Sequence, residues 1–208
     1  GLGVAPKVII MKETGGTSNW VVGGFGLDWS GYLLLDGTSA FSNDSNDTSG
    51  TGRMFSQGGN EPTSTVWYTN SGAIASQNGT AMIAYCFAEK KGFSKFGSYV
   101  GNNADLANSD GPFVYCGFKP AFVMVRSVST TDWNISDNKR LGYNGGNSTL
   151  FANLTNAESS SQDMDLLSNG FKINTNSYDA NNNNTTHIYM AFAEHPLVSS
   201  NGVPATAR

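Results

Sequence analysis

Two stretches of this chain repeat one another in order, spacing and chemistry, which restricts it to architectures that can be built twice. Val8-Ile9-Ile10-Met11-Lys12 returns as Phe122-Val123-Met124-Val125-Arg126, each run opened by a proline, Pro6 or Pro120, and followed by a lone tryptophan, Trp20 or Trp133. The closing segments correspond as well. Ile83-Ala84-Tyr85-Cys86-Phe87-Ala88-Glu89 is answered by Ile188-Tyr189-Met190-Ala191-Phe192-Ala193-Glu194. The repeated unit is about 80 residues long, so the chain reads as a tandem of two related units. The expected boundaries are a first β unit at 1–92, a connector at 93–112 and a second β unit at 113–208. Phe113-Val114-Tyr115-Cys116 leads into the second copy and has no counterpart ahead of Pro6. The first unit is therefore expected to be N-terminally incomplete, with further polypeptide upstream of residue 1.

Composition sets the fold class. Hydrophobic residues make up 38% of the 208, aromatic residues 12% and charged residues only 13%, and there are 25 glycines. Asn, Ser, Thr and Gly favour turns, while aromatic and β-branched residues favour strands. The expectation is an all-β chain of two tandem, β-sandwich-like units joined by an ordered connector. A net charge of −4 and a pI near 5.0 give no basic face for a phosphate backbone, so nucleic acid is not an expected partner. No apolar run approaches the roughly 20 residues of a bilayer-spanning helix, so membrane insertion is not expected either. The two cysteines are too few for a disulfide framework. In the repeat register Cys86 falls opposite Ala191, which reads as a small apolar position; a Cys86–Cys116 bridge and a reactive thiol are the alternatives.

Val8–Met11 and Phe122–Val125 are unbroken apolar runs, as in strands covered on both faces, and are expected to be central. In the closing motif Ile83, Tyr85 and Phe87 share one bulky face and Ala84, Cys86 and Ala88 a flat one, which suits close approach of a second layer. Further strand candidates are 20–22, 32–35, 66–68, 133–135, 150–154 and 170–173. No segment has a sustained helical period; one helical turn is expected at Asn156-Ala157-Glu158-Ser159.

Few residues suggest chemistry. Asn43-Asp44-Ser45-Asn46-Asp47 clusters side-chain oxygens, making Asp44 and Asp47 the metal-ligating candidates, but it lacks the spaced ligands of a calcium loop, and a solvated Asx turn is the competing reading. Asp179-Ala180-Asn181-Asn182-Asn183-Asn184 reads as a hairpin tip. His187 and His195 have no counterparts in the first copy, and Ser98 lacks the surroundings of an activated nucleophile. Asp28, Glu61, Glu89, Asp132, Asp137 and Glu194 offer carboxylates with nothing to single out a pair; the recurrence of Glu89 and Glu194 at strand ends points to structural roles. Trp20 and Trp133 recur and are expected in the core, with Trp67 in an apolar strand. Trp29, in Gly26-Leu27-Asp28-Trp29-Ser30-Gly31, has a turn-like setting, so Trp29 with Asp28 is the ligand-binding candidate. No catalytic residue and no cofactor is assigned; the expectation is a non-enzyme.

Lys90-Lys91-Gly92-Phe93-Ser94-Lys95-Phe96-Gly97-Ser98-Tyr99, Asp110-Gly111-Pro112-Phe113-Val114-Tyr115, Gly117-Phe118-Lys119-Pro120-Ala121-Phe122-Val123-Met124-Val125 and Leu167-Ser168-Asn169-Gly170-Phe171-Lys172 together resemble a family of marine and cyanobacterial bacteriophage virion proteins. Such proteins are usually described as tail-fibre or uncharacterised structural proteins. The resemblance covers essentially the whole chain, including the ending Gly202-Val203-Pro204-Ala205-Thr206-Ala207-Arg208. It implies a place in the virion, at the phage tail or particle surface, as the distal part of a tail fibre or appendage that recognises a host-surface glycan or protein. It also implies contacts with other virion proteins, and, since phage fibres are generally trimers, a homotrimer. A capsid or tail decoration protein and a polysaccharide depolymerase, or its carbohydrate-binding module, are the alternatives.

Overall fold

The computed structural model describes residues 2–42, 54–56, 59–69, 79–105, 107, 110–140, 144, 148–160 and 164–196. Asp44 and Asp47 lie outside them. The described chain is all-β, with twelve strands in three antiparallel sheets and one four-residue helix. Two compact units divide it, Gly1–Ala88 and Glu89–Arg208.

The first unit holds β1 (Val8–Glu13), β2 (Val21–Gly24), β3 (Leu33–Leu34) and β4 (Met82–Phe87), in the order β3-β2-β1-β4. β1 is central, and all its residues except Lys12 are buried, as its unbroken apolar run requires. The flat side of β4, Ala84 and Cys86, packs on a core of Ile9, Met11, Val21, Met54 and Phe55. Two glycines on β2 allow close approaches, one of a core ring and one of backbone. A Cβ on Gly23 would overlap the Phe55 ring, and Gly24, at φ +108°, brings its backbone against the Lys7 carbonyl in a conformation that L side chains rarely adopt.

The second unit holds β5 (Ser94–Val100), β6 (Phe113–Tyr115), β7 (Pro120–Ser127), β8 (Asn134–Asp137), β9 (Leu150–Phe151), β10 (Met164–Leu167), β11 (Gly170–Ile173), α1 (Tyr178–Asn181) and β12 (Thr186–Ala193). One sheet runs β5-β12-β7-β8-β9 and the other β10-β11-β6. They form a sandwich: Val123, Val125, Tyr189 and Ala191 of the larger sheet share a core with Val114, Met164, Leu166, Phe171 and Ile173 of the smaller.

The four strands of the first unit have equivalents in the second, in order and in register. Val8 lies opposite Phe87, Ile10 opposite Tyr85 and Met11 opposite Ala84; in the second unit Phe122 lies opposite Phe192, Met124 opposite Met190 and Val125 opposite Tyr189. On the other flank Val21 pairs with Met11 as Asn134 pairs with Val125. Details beyond the strands recur. The N–H of Trp20 donates to Asp36 Oδ1 at 3.2 Å and that of Trp133 to Asn153 Oδ1 at 3.0 Å, while Leu35 N–H reaches the Trp20 carbonyl as Ala152 N–H reaches that of Trp133. The bridge Tyr32–Ser42 is matched by Thr149–Ser159.

The structure departs from the sequence reading at several points. Ser94–Val100, assigned to the connector, is a full strand pairing with β12 over seven residues. Val66-Trp67-Tyr68 forms no strand, because its backbone closes a turn with Thr63. The helical turn falls at Tyr178–Asn181, where a hairpin tip was expected, and Asn156-Ala157-Glu158-Ser159 is not helical, with Ser159 in the bridge to Thr149. Asn181 explains that switch. Fully buried, it donates to the carbonyls of Ala104 (2.7 Å) and Thr175 (2.9 Å) and accepts from Asn102 N–H (2.8 Å). Trp133 is in the core as expected; Trp20 is only half-buried and stacks on Tyr85 at 6.3 Å.

Two stability predictions follow from this packing. Phe171→Ala removes a fully buried ring that meets Tyr99 and Tyr189 edge-on and should cost about 3–5 kcal/mol in urea denaturation. His187 is buried on β12, stacked on Tyr99 at 5.2 Å, and burial lowers its pKa from 6.5. The unfolded chain therefore takes up the proton first as pH drops, so this contribution is complete above 6.5 and is lost as pH falls through the window below it. The urea midpoint should decline between about pH 7.5 and about pH 5, and His187→Gln should flatten that decline.

Candidate functional site

In the first unit a concave surface forms where chain segments cross the end of β4. A groove of about 250 Å³ is lined by Leu2, Val4, Pro6, Thr63, Ser64, Thr65, Val66, Trp67 and Cys86. Its floor is fixed by the β1–β4 ladder: buried Pro6 is held next to β4 because Lys7 N–H bonds to the Phe87 carbonyl at 2.7 Å. The wall is Trp67, half-buried, whose ring lies 6.4 Å from that of Phe55; Phe55 in turn meets Trp29 edge-on at 6.2 Å. The three rings form a chain from the turn at Trp29 to the groove.

The rim is a tight turn made by its own hydroxyls. Thr63 N–H donates to the Val66 carbonyl at 2.7 Å, and Thr63 Oγ1 accepts from the N–H groups of Val66 (3.1 Å) and Thr65 (3.3 Å). Buried Pro62 anchors the turn from behind. Thr63 is consumed in shaping the backbone and its Oγ1 also lies 3.4 Å from that of Thr65, so along the rim Ser64 presents its hydroxyl and Thr65 the hydrogen-bonding capacity that this contact leaves over. No charged side chain lines the groove among the described residues. An indole face, two hydroxyls and an apolar floor suit a neutral, hydroxylated ring and give an ion nothing to pair with.

The residues singled out from sequence fall in different places. Trp29 is half-buried behind the groove and not in it; its carbonyl accepts the Phe55 N–H at 3.0 Å, which ties the turn to the core. Asp28 is exposed, and its Oδ1 accepts the Ser30 N–H at 2.9 Å, as in an Asx turn. The carboxylates are dispersed into structural pairs. Glu89 bonds Lys95 at 2.7 Å, and Glu194 bonds Lys119 at 3.0 Å and accepts from Asn138 Nδ2 at 2.9 Å. Asp132 accepts from Asn153 Nδ2 at 2.7 Å, and Asp179 from the Asp132 N–H at 3.1 Å. Among the described residues no three His, Cys, Asp or Glu side chains are grouped so as to hold a metal ion.

Sequence reasoning missed the rim, because Thr63-Ser64-Thr65 looks like any polar turn until Trp67 is seen beside it. It also missed a second aromatic surface. On β6, Val114 is buried in the sandwich while Phe113 and Tyr115 are exposed on the opposite face, across from Lys172 and Gly170 of β11. Strand alternation around Val114 was the available signal.

Both cysteines are free thiols. Cys116 is buried beneath the smaller sheet, and loss of hydration pushes its pKa up to about 12; Cys86, in the groove, is raised by partial burial. A thiol reagent at mildly alkaline pH should therefore label Cys86 in the native protein and reach Cys116 only on unfolding, which peptide mapping after limited alkylation would read.

The family model described as "Domain of unknown function (DUF7483)" matches residues 1–196, and the chain belongs to that family. No curated protein and no solved structure matches it.

Proposed function

We propose that this DUF7483 member is a non-enzymatic bacteriophage virion protein, the distal part of a tail fibre or related appendage, whose β modules recognise a host-surface glycan. The observation that carries the ligand class is the uncharged groove walled by Trp67 and rimmed by Ser64 and Thr65. Sugars present apolar ring faces and hydroxyl edges, and those are the two chemistries the groove offers. The resemblance of the Lys90–Tyr99 and Gly117–Val125 segments to virion proteins supports the setting. The equivalent order and register of the two four-strand blocks support a doubled module, and repetition suits a surface built for contact. A homotrimer and contacts with other virion proteins complete this reading.

A decoration role on the capsid or tail is the second reading. It is favoured by Phe113 and Tyr115, whose exposed rings suit a protein neighbour as well as a sugar.

Probing arrays of host capsule and lipopolysaccharide glycans with the purified chain tests the proposal. Retention of a neutral glycan is expected, with affinity reduced at least about tenfold by Trp67→Ala and several-fold by Thr65→Val. Because no charged side chain lines the groove among the described residues, affinity should hold constant when ionic strength is raised. Binding that survives Trp67→Ala, or that fades with salt, would sink the groove as the site. Immunogold labelling of head or tail wall instead of fibre tips would favour decoration.

A further inference from the structure

The strand that closes the second unit is paired on both sides. β12 has β7 on one flank and β5 on the other. Its first-unit equivalent, β4, is the outer strand of its sheet and, among the described residues, pairs with β1 alone. The ladder fixes which backbone groups this leaves over. Thr14 N–H bonds to the Ala81 carbonyl at 2.9 Å, so in the observed register Ile83, Tyr85 and Phe87 direct their N–H and C=O groups at β1, and Met82, Ala84 and Cys86 direct theirs away. In β12 the phase is the same. Val128 N–H bonds to the Thr186 carbonyl at 3.0 Å on the β7 side, and Gly101 N–H bonds to the Thr185 carbonyl at 2.9 Å on the β5 side. The groups of His187, Tyr189 and Ala191 thus meet β5. Among the described residues, no backbone group bonds the outward groups of Met82, Ala84 and Cys86.

Side chains show the same asymmetry. Ile83 and Tyr85 are 39% and 45% exposed, whereas their counterparts Ile188 and Met190, opposite Ser98 and Phe96 of β5, are 0% and 4% exposed. An open edge flanked by bulky apolar side chains is a template for strand pairing that proteins otherwise protect with charge, proline or a cover. Met82-Ile83-Ala84-Tyr85-Cys86-Phe87 carries neither charge nor proline.

The geometry points to β4 as the acceptor of an added extended strand, which completes the first unit as β5 completes the second. The donor chemistry follows from the β12–β5 register. It is an extended segment with a glycine opposite Ala84, an aromatic residue opposite Tyr85 and a small hydroxylated residue opposite Ile83, the places held in β5 by Gly97, Phe96 and Ser98. Ladder hydrogen bonds supply the affinity and the aromatic position the register.

The test adds a synthetic peptide of residues 91–101 to the full chain and follows amide exchange by residue. With saturating peptide the amides of Met82, Ala84 and Cys86 should slow by at least about tenfold, while those of His187, Tyr189 and Ala191 stay as they were. A scrambled peptide should do nothing. Ala84→Pro removes an outward N–H and leaves the β1 ladder intact, so it should abolish the protection. If that variant fails to fold, Tyr85→Lys, at an exposed position, should weaken binding at least about tenfold. No slowing with the native peptide, or equal slowing in either variant, overturns the proposal. So does protection that rises with protein concentration in the absence of peptide and is lost in Ala84→Pro, a result that would assign the edge to a second copy. Glycan retention is read separately, so loss of the groove reading and loss of this one are distinguishable.

Discussion

Pairing of the long apolar strand of each unit with the strand that closes it is the constraint on which the remainder rests. β1 meets β4 and β7 meets β12 across long intervening segments, and the entropy of closing those segments is recovered only when both faces of the central strand are covered. Ile9, Met11, Val123 and Val125 are fully buried as a result. Once these ladders exist, β2 and β8 add as neighbours in the same direction along the sheet, and β3 and β9 follow. The groove is a by-product of the same event, since Pro6 and Cys86 come together only because Lys7 and Phe87 are bonded. So is the free flank of β4, whose outward groups are set by the phase of the ladder.

Polar groups do the fastening where hydrophobic burial runs out. Arg126 is fully buried with its guanidinium 5.2 Å from the centre of the Trp133 ring, and burial lowers its pKa to about 10 against the pull of Asp132 and Asp179. It stays charged at neutral pH, so the two carboxylates and the ring face must supply what water has lost. Asp132 in turn holds Asn153, which caps the Trp133 N–H, and Asp179 holds the Asp132 N–H. The first unit has a lysine and a half-exposed tryptophan at the matching positions. There Lys12 Nζ reaches, among the described residues, the backbone carbonyls of Glu13 at 2.8 Å and Gly16 at 3.0 Å, and Trp20 rests on Tyr85 instead of on a buried cation. The same strand pattern thus yields a closed, charged interior in one unit and an open one in the other.

What the sequence made legible follows from how local each cause is. The central strands could be read from Val8–Met11 and Phe122–Val125 because a run of buried apolar residues carries its own signal, and the flat face of β4 because alternation fixes which side chains share a side. β5 was hidden: Ser94-Lys95-Phe96-Gly97-Ser98-Tyr99-Val100 has the glycine and serine of a loop, and it is a strand only because β12 provides a partner. α1 was hidden for the converse reason. An Asn-rich segment favours a turn until one of its asparagines, Asn181, is buried against three backbone groups. At the site, the aromatic residues could be flagged but not ranked. Trp29 and Trp67 both pack, half-buried, against the core on either side of the Phe55 ring, which Gly23 lets settle onto β2, and only Trp67 lines the groove.

The groove and the open strand edge present different kinds of chemistry, and the difference bears on what each is able to recognise. A groove without charge gains little from long-range attraction and discriminates by shape and hydrogen-bond geometry, so its contacts hold in saline water, where the Debye length is about 10 Å or less. The edge of β4 offers main-chain groups that any extended segment could satisfy; discrimination there must come from side chains, and Ile83 and Tyr85 stand where a partner's side chains would lie. Sequence pattern alone does not explain their exposure, because nearly the same pattern in β12 is buried. The exposure is a property of an unmatched ladder, and a ladder is matched by another strand.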